Sequence, residues 1–168
     1  KSSPPRYYGR IIELLAVLML AGIPLGMGKF FEFNQPDPFA GGAYAYSAWH
    51  LHQGGKLNVD EFSAARPGTL LANYLGVVMF GYSELGPEII QMILQLASLG
   101  IMFYTLRRCF GKVAAVLCTT LASIYLSAPL IAKFGNVKEQ FMIPFMIASA
   151  CFLMLAIQTQ RKRFWISA

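Results

Sequence analysis

Four apolar runs divide the chain, at residues 11–27, 88–106, 113–131 and 141–157, and the charged residues fall almost entirely between them. A helix rises 1.5 Å per residue, so runs of this length match the roughly 30 Å of hydrocarbon in a bilayer. The pattern predicts four transmembrane helices, and Pro24, Pro129 and Pro144 are expected to kink or end such helices without implying chemistry.

A second pattern occupies the long segment between the first two runs. Residues 68–80 are apolar, yet as a helix they would reach only about 20 Å, too short for a crossing. Leu70, Leu71, Tyr74, Leu75 and Val78 form one stripe, Asn73 and Gly76 lie elsewhere, and Pro67 suits the first turn. This predicts an amphipathic helix lying in the outer interface. Another is predicted over 43–53, with Tyr44, Ala45, Ala48 and Trp49 on one side and Ser47, His50 and Gln53 on another. Its aromatic residues fit the belt at the membrane surface, and Gly54-Gly55 ends it. The expected architecture is an all-α integral membrane protein: one membrane domain, 1–168, with an outer loop, 28–86, carrying two interfacial helices.

Charge sets the orientation. With the amino terminus in the cytoplasm, Lys1, Arg6, Arg10, Arg107, Arg108, Lys112, Arg161, Lys162 and Arg163 lie inside. Only Lys29, Lys56, Arg66, Lys133 and Lys138 lie outside, and every acid except Glu13 lies outside or at the outer edge of a span. That is the positive-inside distribution. Counting 68–80 as a crossing would move Arg107, Arg108 and Lys112 outside and spoil it. The expected location is the bacterial inner membrane, with both termini cytoplasmic. Composition agrees: 56% of residues are hydrophobic, 13% are charged and mean hydropathy is +0.51. The net charge of +6 is therefore read as head-group and orientation charge, not as a nucleic-acid surface. Cys109, Cys118 and Cys151 have no metal spacing and read as apolar thiols. The first run reads as a retained signal anchor. Lys1 in first place, without a Met, leads to the expectation of a fragment or a shortened form.

Three residues on the outer face could carry chemistry. Asp37, in Gln35-Pro36-Asp37-Pro38, reads either as a helix cap or as a carboxylate acting as general base at the membrane surface. Arg66, before Pro67, reads either as a snorkelling cation or as a ligand for a lipid phosphate, assisted by N–H groups at the start of the next helix. Glu139, in the turn before the last run, reads as a solvated acid or as a second site carboxylate. His50 and His52 are two residues apart and make a poor metal pair on a helix. Gly22 and Gly26 form a small-xxx-small pair that Pro24 weakens as a dimerisation motif. P-loop, dinucleotide, zinc and nucleophile-elbow patterns are missing from the sequence.

In chain order, the strings Gln35-Pro36-Asp37, 43–55, Arg66-Pro67, Phe80-Gly81, Leu106-Arg107-Arg108-Cys109-Phe110-Gly111 and 136–141 resemble the amino-terminal part of a known enzyme class. These are the glycosyltransferases of the GT-C fold that use lipid-linked sugars, in particular the aminoarabinose transferase and protein O-mannosyltransferase group. The resemblance implies transfer of a sugar from a polyprenyl-phosphate donor to an acceptor on the outer face. It implies Asp37 as the carboxylate near the acceptor, Arg66 as the ligand of the polyprenyl phosphate, and Glu139 as the assisting outer acid. No cofactor follows, and a divalent metal, although open for such enzymes, has no ligand set in the sequence. Lipid-linked sugar, membrane lipid and neighbouring transmembrane helices are the implied partners. The chain departs from the family where Asp37-Pro38 stands for Asp-Glu and Ala65-Arg66-Pro67-Gly68 for Glu-Lys-Pro-Pro. Family members also carry more spans and a carboxy-terminal domain. The alternative is a non-catalytic accessory subunit of a larger membrane complex, its Met-, Phe-, Ala- and Gly-rich spans serving helix packing. A transporter ranks below both, because no ionisable residue falls in mid-run.

Overall fold

The computed structural model describes residues 6–35, 39–56, 66–128 and 135–159, and these are helical, without a strand among them. Helix α1 (Arg6–Val17) passes through a π-helical turn (Leu18–Gly22) into α2 (Ile23–Phe33). Helices α3 (Phe39–His52) and α4 (Pro67–Phe80) pack on each other. Then come α5 (Leu85–Phe110), α6 (Lys112–Ser127) and α7 (Lys138–Thr159). Helix α5 is the central element, packed against α4, α6 and α7, while α6 also meets α1 and α2.

Polarity runs opposite to that of a soluble protein. Leu14, Leu18, Phe30, Leu71, Leu121 and Phe145 are exposed, whereas Glu32, Asn73, Gln91, Gln95, Ser123 and Gln140 are buried. In lipid, large apolar side chains gain little by leaving the surface, and helices adhere through small residues and interhelical hydrogen bonds. Three helices, Ile11–Phe33, Leu85–Phe110 and Lys138–Thr159, are long and apolar enough to cross a bilayer. The chain is an all-α integral membrane protein.

The first crossing is longer than its hydropathy suggests. The apolar run ends at residue 27, but the helix continues to Phe33, because Lys29 and Glu32, one turn apart, pair at 2.5 Å and bury their charges against the bundle. The third run behaves oppositely. Helix α6 stops at Ser127, ahead of Pro129, which lacks a backbone donor; residues 129–134 lie outside the described ones. Helix α3 starts at Phe39, four residues before the expected position. Helix α4 matches the expected 68–80, but its apolar stripe (Leu71, Leu75, Val78) faces outward. Thr69, Ala72, Asn73, Gly76 and Val77 pack inward.

Two local devices shape the bundle. Pro24 cannot donate to the helical ladder, the preceding turn widens to π geometry, and the Ser123 hydroxyl of α6 donates to the Ala21 carbonyl. Gly111, at φ +89°, ends α5 by donating to the Arg107 carbonyl at 3.2 Å and begins α6 in the same residue. That left-handed geometry suits glycine, and the resulting hairpin lays α6 beside α5.

Polar contacts identify two ends. At one, Glu13 of α1 meets Arg107 at 2.7 Å and Lys112 at 3.4 Å, and Cys109 donates to Gln158 of α7 at 3.0 Å. The Glu13 contacts are charge contacts without aligned hydrogen bonds, since both carboxylate oxygens are buried without a geometrically suited donor. Because Arg107 is more than one-third exposed, screening leaves the pair modest. Replacing Glu13 with leucine is expected to cost about 1 kcal/mol, lowering the melting midpoint in detergent by about 2–4 °C. An unchanged midpoint would show that the contact adds nothing. At the other end lie Lys29, Glu32, Asn73, Gln91 and Asn136.

Candidate functional site

The second end carries the site. Helix α4 begins at Pro67, whose missing N–H is harmless in a first turn, with Arg66 extended at the cap (φ −72°, ψ 152°) and its carbonyl accepting from Leu70 N–H at 2.8 Å. Helix α7 begins at Lys138, followed by Glu139 in its first turn. Both helix starts open on one groove of about 680 Å³ between α4, α5 and α7. Its walls are Leu71, Ala72 and Leu75 from α4, Ile90 and Leu94 from α5, and Phe141, Met142 and Phe145 from α7. Its rim holds Arg66, Gly68, Thr69, Lys138 and Glu139.

The electrostatics are directional. Two cations, one carboxylate and the positive ends of two helix dipoles share the rim, and hydrocarbon side chains line everything behind it. Exposed N–H groups at a helix start are an anion-binding arrangement, and a nearby guanidinium strengthens it. An amphiphile with an anionic head and a long apolar tail matches both parts.

The structure therefore brings Arg66 and Glu139 to one groove. Asp37 lies outside the described residues, so its relation to the groove is not part of this geometry. Lys138, read from sequence only as one of the outer lysines, joins the rim. Neither histidine is arranged for a metal: His50 stacks on Tyr46 at 6.3 Å and lies over Gly55, and His52 meets the edge of Tyr74 at 6.1 Å. Among the described residues no group of His, Cys, Asp and Glu could hold a metal ion.

A buried polar layer, none of whose residues lines the groove, was not foreseen from the sequence. Glu32 Oε1 accepts from Gln91 Nε2 and from Gly135 N–H, each at 3.0 Å. Asn73 and Asn136 exchange two side-chain hydrogen bonds, at 3.0 and 2.5 Å. Gln95 Nε2 donates to Gln140 at 2.5 Å. The signal was available in α5, where Glu88, Gln91, Gln95 and Ser98 repeat at intervals of three and four residues. All four are buried along one face of a helix otherwise rich in Ile, Leu and Met.

No curated protein and no solved structure matches the chain. The family comparison is positive and covers the elements that form the groove walls, though Asp37 and Arg66 precede the matched segment. Over residues 67–168, more than half of its length, the sequence matches the family model of the dolichyl-phosphate-mannose-protein mannosyltransferases, of GT-C type, and the chain belongs to that family.

Proposed function

We propose that the chain, as one membrane domain, is the lipid-donor segment of a glycosyltransferase that moves a sugar from a polyprenyl phosphate to an acceptor at the outer face. The carrying observation is the shared groove, in which Arg66, Lys138, Glu139 and two helix starts surround the opening of an apolar cleft. In this reading Arg66 and Lys138 hold the phosphate of the carrier, and the first isoprenoid units lie along Leu75, Leu94 and Phe145. Asp37 takes the proton from the acceptor as the sugar–phosphate bond breaks, and Glu139 orients the sugar or the acceptor. The basic end with Arg107, Arg108 and Lys112 then faces the cytoplasm. The groove opens opposite, which agrees with the asymmetry of basic residues.

The experiment uses the protein as its gene encodes it, purified in nanodiscs, with radiolabelled dolichyl phosphate as the probe. Arg66→Ala is expected to weaken binding about tenfold, the loss of one charge-assisted phosphate contact. With dolichyl-phosphate mannose as donor in native membranes, Glu139→Gln should lower transfer about tenfold or more. Unchanged binding in Arg66→Ala would remove the groove from the donor site.

A further inference from the structure

The turn entering α7 is fastened at three buried points. The Gly135 N–H donates to Glu32 Oε1 of α2 at 3.0 Å. Asn136, next in sequence, is bound in both directions to Asn73 of α4, and its Nδ2 also donates to the Gly41 carbonyl of α3 at 3.2 Å. Gln140 accepts from Gln95 of α5. Glu32 is in turn fixed by Lys29 and by Gln91. Every side chain in this set except Lys29 and Glu32 is completely buried, and those two are at most 6% exposed.

Anchors at 135, 136 and 140 leave Lys138 and Glu139 between them, and these are the two charged residues that α7 gives to the groove rim. Helices in lipid already hold together through close packing of small residues, and each interhelical hydrogen bond adds only modestly to that, so adhesion alone does not account for this density of polar anchors. The hydrogen bonds that this set does make, although Gln91 Oε1 and Gln95 Oε1 accept none, do something else well: they define one geometry and penalise its neighbours.

We propose that Glu32 is a positioning residue: through the Gly135 N–H it fixes the turn into α7 and so places Lys138 and Glu139 at the mouth of the groove. The inference rests on the reading of that mouth as a phosphate site. Glu32 touches no ligand in this arrangement and acts through the backbone of residue 135. Lys29 donates to Glu32 Oε2 and so aims the carboxylate, leaving Oε1 to accept from the Gly135 N–H and Gln91. An uncharged acceptor of the same shape therefore replaces the pair, and an apolar side chain does not.

The test compares two double variants of the full chain, Lys29→Met/Glu32→Gln and Lys29→Met/Glu32→Leu, neither of which leaves an isolated buried charge. Hydrogen exchange of the backbone amides of 135–137 is the first readout. Affinity for dolichyl phosphate is the second. The leucine double is expected to exchange about tenfold faster at 135–137, with the end of α5 around Thr105 unchanged, and to bind about fivefold more weakly. The glutamine double should stay within about twofold of wild type in both. Exchange at 135–137 that is identical in the leucine double and wild type overturns the inference, and so does equal damage in both doubles. If exchange rises but affinity holds, Lys138→Ala separates the two claims. Weakened binding in Lys138→Ala overturns the positioning role and keeps the phosphate site, whereas unchanged binding overturns the phosphate reading itself.

Discussion

Glu32→Leu in an otherwise unchanged chain is expected to lower stability by about 3–5 kcal/mol, enough to shift the melting midpoint by roughly 10 °C. The reason is the residue left behind. Lys29 Nζ lies 2.5 Å from the Glu32 carboxylate, and the two side chains are 4% and 5% exposed. Leucine would strand the ammonium in a site that water scarcely reaches, and it would orphan the Gln91 amide and the Gly135 N–H that share the carboxylate. Removing both charges should be far milder, because a buried pair balances its attraction against the desolvation of two ions. Lys29→Met/Glu32→Gln is therefore expected to stay within about 1–2 kcal/mol of wild type. The readout is thermal unfolding of the three proteins in one detergent. If the single and the double variants melt together, the ion pair is not the source of the cost.

The same residue shows how far the sequence could be read. The apolar runs announced the membrane class and the helices at 88–106 and 141–157, because exposure to lipid leaves a signal in every residue that faces it. The end of the first crossing was hidden. A window of hydropathy counts Lys29 and Glu32 as two charges, whereas the fold makes them one neutral, buried unit. The face of α4 was legible as a stripe, but which face packs inward follows from lipid being the solvent, so that Asn73 and Gly76 rather than Leu71 and Leu75 are covered. Arg66 and Glu139 stood out because each is a charge beside a helix start. Their meeting at one groove depends on α4 and α7 both packing against α5, and no local pattern encodes that. Lys138 and the Asn73–Asn136 pair became visible only with that packing.

Gly76→Ala should destabilise the bundle by about 1–3 kcal/mol, reversing the usual sign of a glycine-to-alanine change within a helix. Alanine normally gains about 1 kcal/mol in such a position by restricting the unfolded chain. Here a Cβ on residue 76 would fall 2.7 Å from the Pro87 nitrogen and 2.8 Å from the Gly86 carbonyl carbon, and a Cβ on Gly86 would fall 2.7 Å from the Gly76 carbonyl oxygen. All of those neighbours are backbone or proline ring, so no rotamer change relieves the contact. Helix α4 must instead move off α5. Gly100, on α5, supplies the control, because a methyl group there would meet nothing within 4 Å, and Gly100→Ala should be neutral or slightly stabilising. Because Leu71, Ala72 and Leu75 travel with α4, the displacement also widens the groove between α4 and α5. Gly76→Ala is thus expected to lose affinity for dolichyl phosphate while Gly100→Ala keeps it. A Gly76→Ala protein that melts at or above the wild-type temperature would mean that the two helices are not in backbone contact there.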